Sequence, residues 1–461
     1  MVFPNTPLIV TVSLFLGGAW VDITADVLNR DKIAVIWGRQ DWASTADPTR
    51  CPLTLNNGHS VAAPGILGRY SRRNPRSDLF GLLGLSTLVA VDLTTPGGAV
   101  ADRFEGYITS WPTKWDVSGT DVYTTVTASG IQRRLLQGTK ALKDALRRHI
   151  GTALPLRYWP LTDGERAIEG SEVAAGAQPL RAIGTAGSFY QGQPDWGKGA
   201  LAPWLDPTVQ LPSSTEGTLT VKVSPMVLTS WTVDHYRAGA GGAEDDFTIF
   251  DNGLGTDADP ILAWIVVTDR VSNDVELRVL SAGETLSSLS VLTTAANPGI
   301  FDNSPHMIRL TAAADGGSTD WELAIDGVTV ASGTHAVPHR PVARLRYRWG
   351  AFASMAEPMA LGHITYWGPS PSSTAATWQA AQGYNRELSG RRIERLCAEQ
   401  GVPLLVNGNL DLTKRMGPQK SGAFLDLVQS AADVDGGIIH DSRESASLVY
   451  RTARSKYNQG V

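Results

Sequence analysis

The rhythm of apolar and polar positions changes twice along the chain. Over residues 1–130 the period is two. In residues 7–16 (PLIVTVSLFL), Thr11 and Ser13 alternate with Val12 and Leu14, and the run stops at the turn pair Gly17-Gly18. That pattern predicts a half-buried first strand. Residues 20–27 alternate too, 32–37 are rich in β-branched residues, and 51–55 end at Asn56-Asn57-Gly58. Residues 85–93, 104–110 and 122–128 follow, each bounded by Gly, Pro or Asp. Short strands with this punctuation predict a barrel or sandwich. The period then turns helical: Ile131, Leu135, Leu142, Leu146 and Ile150, mostly four or seven apart, predict one helix over 131–150.

Residues 152–370 have little charge. Strands are predicted at 219–223, 230–235, 247–250, 261–268, 275–281, 306–312, 321–325 and 361–367, with no helix among them. This is the pattern of an all-β sandwich large enough for its own core. Residues 371–384, rich in Pro, Ser, Thr and Ala, predict a linker. Helices return at 391–399, with Ser389 as N-cap, Ile393 and Leu396 buried and Gly401 as the stop. A second helix over 423–432 opens at Ser421 and places Phe424, Leu427 and Val428 on one face. Gly436-Gly437, a strand at 438–440, a turn and a strand at 447–451 complete the reading. Residues 457–461 add no closing element, so the last domain is read either as incomplete or as having a tail ordered by partners.

The expected fold is therefore mainly β and multidomain. It has an N-terminal β-barrel plus helix (1–150), a β-sandwich jelly roll (152–370), a linker (371–384) and a small α+β domain (385–461). A length of 461 residues suits about three domains. The balance of 42% hydrophobic and 18% charged residues is that of a globular chain. A net charge of -5 argues against a surface that grips nucleic acid throughout. Two distant cysteines, Cys51 and Cys397, exclude a disulfide scaffold and paired-cysteine zinc. No apolar run reaches the ~18–20 residues of a transmembrane helix. Residues 7–16 lack the basic start and cleavage pattern of a signal peptide. Assembly in a cytosol is expected.

Candidate chemistry is sparse. Residues 192–199 (GQPDWGKG) match a P-loop at Gly192, Gly197 and Lys198. Gly199 stands where Ser or Thr would hold magnesium, and Pro203 precludes the helix that cradles phosphate. Residues 251–259 (DNGLGTDAD), between Asp251 and Asp259, gather oxygen ligands. Leu262 stands where an EF-hand needs Glu, leaving a calcium loop of another kind or a solvated hairpin loop. Glu244 and Asp246 share a strand face, but Thr248 takes the third place, so with Asp245 they make a weak glycosidase signal beside a charged loop edge. His335 and His339 are separated by Pro338, which breaks the helix that would pair them. Arg133, Arg134, Lys140, Lys143, Arg147 and Arg148 form either a solvated helix face or a docking surface for an acidic partner. Trp196, Trp204, Trp231, Trp264, Trp321, Trp349 and Trp367 fit core packing or a sugar platform, with alternation favouring core. No catalytic, cofactor-binding or metal-ligating residue is assigned, and the chain is read as a non-enzyme.

Longer motifs carry a resemblance. WVDITADV (20–27), WGR (37–39), DPTRC (47–51), LTLNN (53–57), GRYSRRNP (68–75), LFGLLG (79–84), RFEGYITSWP (103–112), WDVSG from Trp115 and ASGIQRRL from Ala128 follow one another in order. This block resembles the N-terminal barrel of minor tail proteins of long-tailed actinobacterial phages and prophages. It departs from them in an insertion at about 59–67 and in Ser86-Thr87, where Asn-Thr is usual. YWPLTDG (158–164), WELAIDGV (321–328) and LGHITYWG (361–368) resemble a laminin-G-like, concanavalin-like jelly roll. RRIERL, GVP, GPQKSGAFLDLV (417–428), GGIIHD and LVYR (448–451) resemble the central part of phage tail hub proteins.

The resemblance implies a virion structural protein at the tail tip or baseplate, assembled in the host cytoplasm, with the jelly roll inserted into or decorating a hub. It implies a homotrimer contacting the distal tail protein, tail tube and tape measure. The jelly roll would bind host-surface polysaccharide during adsorption, with calcium as its one candidate cofactor. Glycan binding as the main role, or polysaccharide cleavage, is the alternative.

Overall fold

The computed structural model describes residues 8–28, 32–38, 46–58, 66–115, 122–137, 140–183, 192–212, 215–253, 256, 262–280, 289–351 and 357–456. The chain forms two units. The first comprises Met1–Leu142, Glu387–Met416 and Gly422–Val461, and the second Lys143–Arg386 and Gly417–Ser421. Both are mainly β.

In the first unit, strands β1 (Ile9–Leu16), β2 (Ala19–Asp22), β3 (Ile36–Gly38), β4 (Asp47–Asn56), β5 (Thr87–Thr94), β6 (Val100–Ile108), β7 (Thr113–Trp115) and β8 (Val122–Ser129) form one antiparallel sheet. Its order is β2-β1-β5-β6-β8-β4-β3, with β7 on β8. Alternation works as expected: Val12, Leu14, Leu53, Leu55, Val89, Val91 and Val126 turn inward to one core. The strand expected over 20–27 ends at Asp22, and residues 23–28, with a 3-10 turn at Thr24–Asp26, close the sheet into a barrel. Ile23 N–H donates to Val12 O, and Leu28 N–H to Thr54 O, which joins β1 to β4. Buried Asp26 in this segment accepts from Arg69 Nη1 (2.7 Å) and Tyr70 Oη (2.6 Å), so the 68–78 loop clasps the seam.

The expected helix over 131–150 is instead two helices, α1 (Ile131–Leu135) and α2 (Ala145–Ala153), which belong to different units. Gly138 and Thr139 are weak helix formers, and Asp144 starts α2 afresh by accepting from Arg147 N–H at 2.7 Å. The basic residues from 133 to 148 are thus divided between units and share no helix face.

Helices α4 (Ser389–Glu399) and α5 (Phe424–Asp435) pack with a sheet of β25 (Leu404–Asn407), β27 (Leu448–Arg451) and β26 (Ile438–Asp441), with β25 parallel to β27. Ser389 is the first residue of α4, not its cap; Thr413 Oγ1 accepts from Gly390 N–H at 3.0 Å instead. Ser421 does not cap α5 either, since Ala423 holds that place and the Ser421 hydroxyl donates to Asp206. Gly436, at φ 79°, ends α5 three residues later than expected, in the left-handed conformation that suits glycine. Ile131 of α1 packs in the same core as Ile393, Leu396, Val428, Ile439 and Tyr450, so the barrel's helix is part of this small domain. Cys51 and Cys397 are buried free thiols in separate cores, each pushed up to about 12 by burial.

The second unit is a sandwich of two antiparallel sheets. One runs β10 (Glu169–Gly170), β11 (Leu180–Ile183), β14 (Gly217–Lys222), β23 (Val342–Ala351), β16 (Glu244–Asp251), β17 (Ala263–Asp269), β18 (Asp274–Leu280), β19 (Ser290–Ala296). The other runs β12 (Asp195–Gly199), β13 (Thr208–Leu211), β24 (Met359–Trp367), β15 (Ser230–Ala238), β20 (His306–Asp315), β21 (Ser318–Ile325), β22 (Val328–His335), with β9 (Arg157–Trp159) also on β24. Their inner faces share one large core. Residues 371–384, expected as a linker, instead carry helix α3 (Thr374–Ala381), capped by Ser373 Oγ. Helices α2 and α3 cover the outer face of the second sheet, where Leu146, Ile150 and Ala380 pack with Tyr236, Met307 and Trp367. No helix of the described residues is long and apolar enough to cross a membrane.

Candidate functional site

The outer face of the first sandwich sheet has a different character. Strand period two sends Phe247 and Ile249 of β16 into the core and Glu244, Asp246, Thr248 and Phe250 outward. Register then lines these up in rows. One row is Lys222, Arg344, Phe250, Ala263 and Leu280. The next is Thr220, Arg346, Thr248, Ile265 and Arg278. A third is Thr218, Arg348, Asp246, Val267 and Glu276. The face is cationic and hydroxylated over β14, β23 and β16, apolar over β17, and charged again on β18.

The charges are held by one another and by a ring. Asp246 accepts from Arg348 Nε at 2.5 Å and lies 3.5 Å from Arg346 Nη2, which also donates to Thr248 Oγ1 at 3.0 Å. The Thr248 hydroxyl donates to Asp246 at 2.8 Å. Glu244 and Glu276 both pair with Arg278, at 3.1 and 2.7 Å. Burial pulls the Arg278 pKa down, but the hydrogen bonds and charges of its two carboxylates outweigh this and raise it. Arg344 and Arg346 both lie over the Phe250 ring, with guanidinium carbons 3.8 and 5.1 Å from its centroid. Arg344 is exposed, and burial together with the Arg346 charge lowers its pKa.

Glu244 and Asp246 do share the face that alternation predicted, but both are tied to arginines. Asp245 faces the other way and is buried. Desolvation raises its pKa, partly offset by Arg237 and the N–H groups of Gly350 and Gly242. The arginine partners were not visible in the sequence: Arg346 lies 98 residues beyond Thr248, and only the alternation R-x-R-x-R at 344–348 hinted at a charged face.

The remaining candidates are dispersed. Residues 195–199 of the P-loop match form strand β12, with Trp196 buried and no helix following. Of residues 251–259, Asp251, Asn252, Gly253 and Thr256 are described, and the rest of the calcium candidate lies outside the described residues. Asp251 accepts from Gly253 N–H and pairs with Arg340 at 3.4 Å. Among the described residues no three His, Cys, Asp or Glu side chains converge to hold a metal ion. His335 packs against Trp264 and His339 against Trp231, so each lines the tryptophan pair of the core. Six of the seven tryptophans are buried, and Trp204 is half-buried with Nε1 donating to Ala381 O. They are core, not a sugar platform. Arg134 stacks on Tyr107 and Arg147 donates to Thr162, while the tail at 457–461 lies outside the described residues.

No protein-family model and no curated protein matches the chain. Among solved structures it is similar to the receptor binding domain of botulinum neurotoxin D, at 8% identity and TM-score 0.33, covering 51% of this chain and 54% of that one. It is similar to the botulinum neurotoxin serotype D ligand binding domain in complex with N-acetylneuraminic acid, at 9% and 0.34, covering 53% and 54%. It is also similar to the Caenorhabditis elegans galectin LEC-6, at 11% and 0.24, covering 34% and 94%. The chain thus spans about half the length of the toxin domains it matches. All three scores are low, and none of these likenesses bears on function.

Proposed function

We propose that this chain is a non-enzymatic structural and adhesion protein, a minor tail protein at the tail-tip hub of a long-tailed virion, whose jelly roll binds host-surface glycans. The observation that carries the binding role is the polar face over β14, β23 and β16. Its exposed Arg344 and Lys222 and half-buried Arg346 and Arg348 offer hydrogen-bond donors on rigid strands, held from beneath by the buried Asp246 and Thr248. A few polar groups fixed in place set a ligand's orientation and specificity. The pairing of Glu244 and Asp246 with arginines disfavours polysaccharide cleavage.

The hub role is supported by chain order. Residues from both ends of the sequence build one unit, and the sandwich is inserted between them. Folds of this kind tolerate a domain inserted at a surface loop without loss of the frame that receives it. In this reading the first unit supplies the contacts of a homotrimer and of neighbouring tail proteins.

Three measurements on the full chain test the proposal. Immobilised host-wall polysaccharide retains the protein, and the double variant Phe250→Ala/Arg344→Ala lowers the affinity at least tenfold. Light scattering gives the mass of a trimer, and the chain is found in purified particles. Absence of retention removes the adhesion role. A stable monomer absent from particles removes the hub role.

A further inference from the structure

The charges on the candidate face do not close. Asp246 serves Arg348 and Arg346, and Glu244 and Glu276 serve Arg278. Arg344 and its cross-strand neighbour Lys222 are both exposed and have no carboxylate partner among the described residues. Arg346 is also incompletely served: its Nε is buried and finds no acceptor among the described residues. Arg344 and Arg346 nevertheless lie over one phenyl ring, like charges on a shared support.

Holding two guanidinium groups together costs Coulomb energy unless a counter-charge lies between them. Phe250 offsets part of this through its ring face, and of the two Asp246 pairs with Arg346 and not with Arg344. A guanidinium presents a planar fork of donors that matches the oxygens of a carboxylate or phosphate. A neutral sugar hydroxyl supplies neither the charge nor the paired acceptors.

We infer that the Arg344–Arg346 pair on Phe250, with Lys222 beside it, is a subsite for the oxyanion of an acidic glycan, a uronic or sialic-type carboxylate or a backbone phosphodiester. The inference rests on the glycan-binding reading and narrows it to a chemical class. Thr220, half-buried in the row beside Arg344, is the hydroxyl nearest to hand for the sugar that carries the anion, whereas Thr248 is buried and holds Arg346 and Asp246 in place.

The test compares trigalacturonic acid, its methyl ester and a glycerol-phosphate oligomer as ligands of the full chain, by calorimetry at low and moderate salt. The acid is expected to bind at least tenfold more tightly than the ester, with the difference shrinking as salt rises. Arg344→Gln is expected to erase the difference, and Arg344→Lys to recover only part of it, since the charge returns without the fork. Arg344 is exposed, and an unchanged melting temperature will show that these variants fold. Tighter binding of the phosphate oligomer, lost in Arg344→Gln, supports the same subsite with phosphate as its source. Equal binding of acid and ester, lost in Phe250→Ala, overturns the inference and leaves glycan binding standing. A preference for anions that survives Arg344→Gln overturns the assignment to this pair. Binding of none of the three, with host-wall polysaccharide still retained, overturns the anionic subsite. Loss of that retention as well removes the glycan-binding reading with it.

Discussion

The carboxylate of Asp441 occupies the space that a side chain on Gly130 would need. A Cβ at Gly130 would lie 2.3 Å from the Asp441 carboxylate. Gly130 is the N-cap residue of α1 and has no side chain to cap with. Asp441, on β26, supplies the cap from 309 residues beyond Gln132. It accepts from Gln132 N–H at 2.8 Å and from Thr49 N–H at 2.7 Å. One buried side chain thus ties β4, α1 and the C-terminal sheet of the first unit together. Burial raises its pKa, and the two backbone donors offset part of that rise.

Asp441→Ala is therefore expected to leave two buried N–H groups unpaired, at a cost of about 2–4 kcal/mol. Hydrogen exchange at Thr49 and Gln132 should accelerate first, before global unfolding. Gly130→Ala should destabilise by a similar amount through the clash, and the double variant should cost less than the two combined, because removing the carboxylate also removes the clash. Additive losses would mean that the two positions act independently.

Acid should weaken the second unit through two histidines. His235 packs between Phe247 and Tyr347, and His363 accepts or donates at Tyr158 Oη, 2.6 Å away. Burial lowers both pKa values to about 3, with the Arg237 charge adding for His235 and the Arg147 charge for His363. A histidine with a lowered folded pKa is protonated first in the unfolded chain, so stability falls as pH drops below about 6.5. At pH 5 each should cost about 2 kcal/mol. Asp144, raised to about 6 by burial, works in the opposite sense. So does His306, whose pKa burial lowers but whose bonds to Asp326 and Asp302 raise it overall; its contribution is lost as pH rises above 6.5. Melting curves from pH 7 to 5 should show a net loss, and His235→Phe should reduce proton uptake on unfolding by close to one. An unchanged slope in that variant would contradict the assignment.

Glu244 sits in an ion pair with Arg278, so Glu244→Gln should not alter any action on polysaccharide. Incubation with host-wall polysaccharide is expected to release no reducing ends from either the wild type or the variant. Release by the wild type that Glu244→Gln abolishes would restore the hydrolytic reading.

The sequence by itself determined which residues share a strand face. Alternation at 244–250 placed Glu244, Asp246, Thr248 and Phe250 on one side, and alternation in the barrel placed Val12, Leu14, Leu53 and Val126 on the other, because side-chain direction in a strand depends only on the residue's own neighbours. Asp144 as a helix cap and Gly436 as a helix stop are equally local signals, but the periodicity over 131–150 hid the first and the helix expected over 423–432 stopped short of the second. Which strand lies beside which was not local. The pairing of Asp246 with Arg348, the closing of the barrel by residues 23–28, and the capping of α1 by Asp441 all join residues whose separation leaves no periodic trace. The linker expected over 371–384 failed for a related reason. It is a short segment whose helix, α3, is held by the sheet surface it covers, and that surface exists only once the strands have paired.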